Sequence, residues 1–245
     1  ALFAAAFGKC PQLIPIIGIY DEFMAIILEP LRYAAYWGSR IIINSMGTPP
    51  PEGSLHQTLV APGAFMDMPL VMYDPAFPIE VNWITMANLK LMRQYPLKAR
   101  IVYLRNLRQE ILPQARMYEL LRQQPTFAGL SGPEIDKIIQ PLVLQGGYKI
   151  IDYSDKPERD VRLLLATGKV LDQVVLASET LAKEEIYASV IHITSPTVLR
   201  DEHDAVTQRR SNGLRTQPRY SYLEGLVTKA ERKVPAVAVT DAGRS

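Results

Sequence analysis

Apolar and polar positions alternate along the first hundred residues in two rhythms. Short runs rich in β-branched residues, Ile14–Ile19, Arg40–Ser45, Leu70–Tyr73 and Arg100–Leu104, read as buried strands. Between them, Glu22–Trp37 and Ile79–Met92 read as helices, the first with a kink expected at Pro30. Gly47-Thr48-Pro49-Pro50-Pro51 reads as a rigid, extended loop short of amide donors. Strands alternating with helices predict a mostly parallel sheet covered on both faces. Residues 109–140 interrupt the rhythm. They are rich in Gln, Arg and Pro and contain the turn Gly129-Leu130-Ser131-Gly132-Pro133, so they read as an inter-domain linker with helical pieces. The alternation then resumes. Gly147–Tyr153, Val161–Ala166, Ser189–Thr194 and Ala236–Thr240 read as strands, and Leu171–Glu184 and Arg219–Arg232 as helices.

Composition narrows the class. The 245 residues leave room for one large or two ordinary domains, and 48% hydrophobic with 21% charged residues fits a globular chain. A net charge of +2 makes no electrostatic case for nucleic acid. The single cysteine, Cys10, excludes an internal disulfide framework. His56, His192 and His203 lie far apart, without metalloprotease spacing. Glycine fingerprints for nucleotides and the hydrolase nucleophile elbow are absent. The most apolar stretch, Leu13–Leu31, carries Asp21, Glu22 and Glu29, which argues against a membrane span. The chain opens in an apolar run, Ala1–Phe7, and stops just after a strand-like segment, so both ends read as cut from something larger.

Two strand ends gather the candidate chemistry. Open α/β sheets bind ligands beyond the carboxyl ends of their strands. The first strand runs into Tyr20-Asp21-Glu22-Phe23, and the second is followed by the loop Glu52-Gly53-Ser54-Leu55-His56-Gln57-Thr58. Each residue also has a plainer reading. Tyr20 and Phe23 are aromatics of the kind that pack cores. Asp21 and Glu22 suit a helix N-terminus, and Asp74 a cap. A loop histidine such as His56 is often an ordinary surface residue. His192 reads as a core histidine, and His203 as part of a solvated charge run, Arg200–Asp204. Arg209, Arg210, Arg215 and Arg219 form a mild basic patch, read as a solvated face or partner surface.

Taken together, these residues resemble the thiamine-diphosphate enzymes of the transketolase superfamily, most of all the homodimeric pyruvate dehydrogenase E1 component. Ile14-Pro15-Ile16 through Tyr20-Asp21-Glu22-Phe23 to Arg32-Tyr33-Ala34-Ala35 resembles the cofactor-pocket strand and helix. The His56 loop resembles the Gly-x-x-His-Gln substrate loop, and Tyr73-Asp74-Pro75-Ala76-Phe77 a Tyr-Asp-Pro-Ala-Tyr/Phe segment. Gly146-Gly147-Tyr148 and Thr194-Ser195-Pro196 are similar to parts of the C-terminal domain.

The resemblance implies two tandem three-layer α/β/α domains with mostly parallel sheets, both incomplete. A pyrimidine-binding domain spans 1–108, a linker 109–140 and a truncated C-terminal domain 141–245. It implies cofactor-binding roles for Tyr20 and Phe23, with Phe23 stacked on the aminopyrimidine, and a catalytic role for His56 facing the substrate. Decarboxylation of a 2-oxo acid and acyl transfer to a lipoyl group follow from it. So do thiamine diphosphate, Mg²⁺ held by a domain absent from this chain, a second subunit, a lipoyl-bearing acyltransferase partner, and a cytoplasmic or mitochondrial-matrix location. The apolar Ala1–Phe7 segment, with Trp37 and Trp83 on sheet-covering helices, also suggests a subunit contact. The family's activating glutamate and its Gly-Asp-Gly…Asn diphosphate motif have no counterpart here. A transketolase, or a non-catalytic scaffold subunit that keeps the fold, remains the alternative.

Overall fold

A computed structural model describes residues 2–47, 68–96, 98–107, 112–156, 162–213, 220–227, 229 and 231–240. The chain divides into two compact units, 1–111 with 241–245, and 112–240.

The first unit is built on four parallel strands, β1 (Ile16–Tyr20), β2 (Ile42–Gly47), β3 (Leu70–Tyr73) and β4 (Ile101–Leu107), in the order β1-β2-β4-β3. The period-2 geometry of a strand sorts their side chains onto two faces. One face carries Ile17, Ile19, Ile43, Leu70, Met72, Ile101 and Tyr103. These pack with Ala5 of α1 (Leu2–Phe7), with Met24, and with Leu31, Ala34 and Ala35 of α2 (Leu28–Tyr36). The other face is met by α3 (Pro78–Gln94), whose Asn88 hydrogen-bonds Tyr73. Helices therefore lie on both sides of a parallel sheet, as the alternation predicts.

Two local details differ from the sequence reading. Glu22–Trp37 is not one kinked helix. Asp21–Ile27 forms a 3-10 helix, and Pro30 sits in the first turn of α2, where a missing N–H costs nothing. Arg40 precedes β2 rather than opening it. Its buried guanidinium donates to the carbonyls of Gly8, Cys10 and Met92, tying the amino end of the sheet together.

The second unit has a four-stranded sheet, β5 (Gly147–Ile151), β6 (Arg162–Thr167), β7 (Ala188–Ile193) and β8 (Ala236–Val239), in the order β5-β7-β6-β8. Only β5 runs antiparallel. Residues 112–145, read from the sequence mainly as linker, form α4 (Gln114–Arg122) and α5 (Gly132–Gln145). Their apolar stripes, Met117, Leu120, Leu121 and Ile135, Ile139, Val143, are buried within this unit. Beyond them come α6 (Leu171–Lys183), α7 (Pro196–Ser211) and the short α8 (Tyr222–Leu226). Among the described residues, the helix expected over Arg219–Arg232 is only α8 and a 3-10 turn at Glu231–Lys233.

The two glycine- and serine-containing motifs of this unit meet. Gly146 caps α5 at φ 111°, and a β-carbon there would stand 2.7 Å from the Leu199 side chain. A β-carbon at Gly147 would meet the His192 carbonyl at 2.6 Å, so the strand can approach β7 only as glycine. The amides of Thr194 and Ser195 both donate to the Gly146 carbonyl, at 2.9 and 3.0 Å. Ser195 then caps α7 by accepting from the Val198 amide, with Pro196 in the first turn.

Candidate functional site at the strand ends

The carboxyl ends of the first sheet hold a buried polar network. Asp21 is fully buried directly after β1. Its Oδ1 accepts from the Ser45 hydroxyl of β2 and, at 2.9 Å, from the Tyr103 hydroxyl of β4. Its Oδ2 lies 3.7 Å from Nε of Arg105. The Arg105 Nη1 donates to both oxygens of Asp74, at 2.9 and 3.2 Å, where Asp74 follows β3. The register that sets Ser45 beside Arg105 and Tyr103 beside Met72 brings these groups to one face. Burial first, and then the Asp21 charge, push the Tyr103 phenol well above its ordinary 10.0, so it stays a donor. Burial likewise raises the Tyr73 phenol.

This network refines one plain reading and corrects another. Asp21 does open the 3-10 helix, but its carboxylate is buried and turned into the sheet. Asp74 does not cap α3. That task falls to Glu80, whose buried carboxylate accepts from the amides of Ala76 and Phe77, at 2.7 and 3.1 Å. Arg105 was missed because the strand reading stopped at Leu104. One signal was available: an arginine continuing a buried parallel strand needs carboxylate partners, and Asp21 and Asp74 both stand at strand ends.

Of the predicted site residues, Tyr20 ends β1 half-buried and Phe23 is 40% exposed. Their rings meet edge to face, with centroids 6.2 Å apart and planes at 80°. The strand beside them is open on that side. Ile16 is 60% exposed, and a β-carbon on Gly18 would have no heavy atom within 4 Å. Tyr20 and Phe23 are therefore brought together at the end of β1. His56 lies outside the described residues. Among the described residues, no three His, Cys, Asp or Glu side chains form a group fit for a metal ion.

His192, His203 and Arg210 make structural contacts. His192 is fully buried, edge-on to Tyr148 at 5.5 Å, with Nδ1 3.5 Å from the Ala166 carbonyl. The charge run around His203 is not simply solvated. Its Nδ1 lies 3.1 Å from the Ser221 hydroxyl, and Glu202 accepts from the Tyr222 amide at 2.8 Å, joining α7 to α8. Arg210 of the basic patch pairs with Glu224, holding that carboxyl at about 2. Trp37 is 62% exposed, but Trp83 is buried, so only the first contributes an exposed apolar face.

No protein-family model matches the chain, and no curated protein matches it. Solved structures do. Transketolase from Leishmania mexicana superposes with a TM-score of 0.60 at 19% identity, over 93% of this chain and 27% of that one. The fold is transketolase-like. Transketolase from Campylobacter jejuni matches at 0.58 and 15% identity, over 99% of this chain and 33% of that one. A split-gene transketolase described as an inactive β4 tetramer matches at 0.51 and 17% identity, over 97% of this chain and 69% of that one. This chain thus spans about a quarter to a third of the first two transketolases. Among its described residues, no helix is long and apolar enough to cross a membrane.

Proposed function

We propose that this chain is part of a thiamine-diphosphate-dependent enzyme, an E1-type 2-oxo acid dehydrogenase component that decarboxylates a 2-oxo acid and passes the acyl group to a lipoyl group. The observation that carries the cofactor is the Tyr20–Phe23 pair at the end of β1 on a transketolase-like sheet, with the Phe23 ring exposed. Thiamine diphosphate, when bound, supplies the carbanion chemistry that breaks a bond next to a carbonyl. Phe23 gives a ring face to stack on and Tyr20 an aromatic edge that orients it. His56 is assigned to the substrate, where its imidazole hydrogen-bonds a carbonyl oxygen and exchanges a proton near neutral pH. Among the described residues no group of three or more His, Cys, Asp or Glu side chains would hold Mg²⁺.

The exposed apolar side chains of the first unit suit a subunit contact. Leu2, Phe3 and Phe7 on α1, and Tyr33, Tyr36 and Trp37 at α2, all stand open. A second subunit and a lipoyl-bearing acyltransferase are the partners this reading calls for.

Transketolase is the second reading, favoured by the names of the solved structures of this fold. The two readings part at the substrate. A sugar phosphate asks for an available guanidinium, whereas Arg105 is engaged by Asp74 and Asp21. Assaying the complete encoded protein with thiamine diphosphate and Mg²⁺ separates them. We expect release of CO₂ from a 2-oxo acid with a lipoyl acceptor. Transfer of a two-carbon unit between sugar phosphates, without decarboxylation, would establish the second reading instead. Inactivity in both assays would leave a scaffold subunit.

A further inference from the structure

Arg105 joins two strand ends through its side chain and a third through Asp21, which accepts from Ser45. Asp74 closes β3, Asp21 follows β1, and Ser45, alongside Arg105 in the register, lies two residues before the end of β2. Asp21 directly follows Tyr20 and precedes Phe23 by two positions. Ser45-Met46-Gly47 is the root of the segment that leads to His56. The fork geometry of guanidinium suits this task, because it offers rigid, divergent donors to more than one carboxylate. A lysine ammonium is a point charge and does not reproduce the fork. Arg105 is 1% exposed, and Asp21 and Asp74 are fully buried. An incoming anion would have to displace a carboxylate inside a site closed to water, leaving that carboxylate buried without its partner.

We propose that Arg105 is a positioning residue: its guanidinium is committed to Asp21 and Asp74, and it aligns the β1 end bearing Tyr20 and Phe23 with the β2 root of the His56 loop rather than receiving a substrate anion. This rests on the cofactor reading above and adds a substrate consequence. The first sheet offers its strand-end arginine to its own carboxylates, so this guanidinium is not the group that would receive a substrate phosphate. Tyr103 belongs to the same device. Its phenol donates to Asp21 from the same strand, two residues before Arg105.

The test uses the complete protein with Arg105→Met, Arg105→Lys and Tyr103→Phe. Four quantities are measured: the dissociation constants of thiamine diphosphate and of inorganic phosphate, KM for the 2-oxo acid at saturating cofactor, and hydrogen exchange along the first sheet. Both Arg105 variants are expected to weaken cofactor binding about five- to tenfold, and Tyr103→Phe less. Exchange should quicken selectively at Tyr20–Met24 and Ser45–Gly47, while phosphate affinity and KM stay within about twofold. A fall in phosphate affinity in Arg105→Met would show an anion receptor and overturn the proposal. Uniform quickening across the sheet with unchanged cofactor affinity would overturn it too, as a merely structural role predicts. If the wild-type protein binds no thiamine diphosphate, the cofactor reading fails, and the exchange pattern alone then decides for or against positioning. If Arg105→Met does not fold, Tyr103→Phe, which removes one hydroxyl and keeps the ring, carries the same comparison.

Discussion

His56→Ala in the complete protein is expected to lower turnover of a 2-oxo acid about 10²–10³-fold, the usual cost of losing a donor aimed at charge that develops in the transition state. Cofactor affinity should stay nearly unchanged, because the proposal puts the imidazole toward the substrate and not toward the pyrimidine ring. The assignment rests on the Gly53-Ser54-Leu55-His56-Gln57 pattern and on its place after β2. The check is paired: steady-state turnover and the thiamine diphosphate dissociation constant, both for His56→Ala. Full turnover would remove His56 from the site. A large loss of cofactor affinity with turnover intact at saturation would move it to the cofactor.

The second large effect concerns stability. Asp74→Ala should destabilise the first unit by about 1–3 kcal/mol, since it removes the nearer of the two carboxylates that satisfy the buried Arg105 guanidinium and leaves its Nη1 without an acceptor. The cost comes from the buried donor left without its acceptor and not from the lost attraction alone. Replacing Asp74 and Arg105 together should therefore cost clearly less than the sum of the single changes, a coupling of the kind seen for residues in direct contact. Denaturant unfolding of the two single variants and the double variant measures it. Strict additivity would mean that the two groups are not coupled as the distances imply.

Much of the fold was legible because burial speaks through apolar runs. Leu70–Tyr73 is all buried and stands where the run placed it. The sheet-covering helices between the strands follow from the same rhythm. What stayed hidden was chain segments whose burial is carried by few or polar residues. In α7 only Thr197, Leu199 and Val206 are buried, too sparse a stripe to register among Arg200, Asp201, Glu202 and Asp204. The helices α4 and α5 looked like linker because Gln, Arg, Pro and the turn Gly129-Leu130-Ser131-Gly132-Pro133 break up the segment's apolar rhythm. Their apolar faces are real, and Pro133 and Ser131 are helix-start residues rather than loop markers.

The site was legible only in part, for the same reason. Aromatics at a strand end, Tyr20 and Phe23, announce themselves by position. A charged network does not, because its members are far apart in sequence: Asp21, Ser45, Asp74, Tyr103 and Arg105 converge only once the strand order β1-β2-β4-β3 is known. Taken singly, each acid has an adequate surface or capping explanation. Only their common arginine, in the interior of β4, shows that they belong together.

The central claim is that the β1 end holds the aminopyrimidine of thiamine diphosphate against Phe23. Titrating the complete protein with thiamine diphosphate and Mg²⁺ in a calorimeter, as wild type and as Phe23→Ala, tests it most directly. Stacking contributes about 0.5–1.5 kcal/mol beyond burial, so the account predicts saturable binding by the wild type and a dissociation constant raised about two- to twelvefold by the substitution. An absence of binding by the wild-type protein, or a constant unmoved by Phe23→Ala, would contradict it.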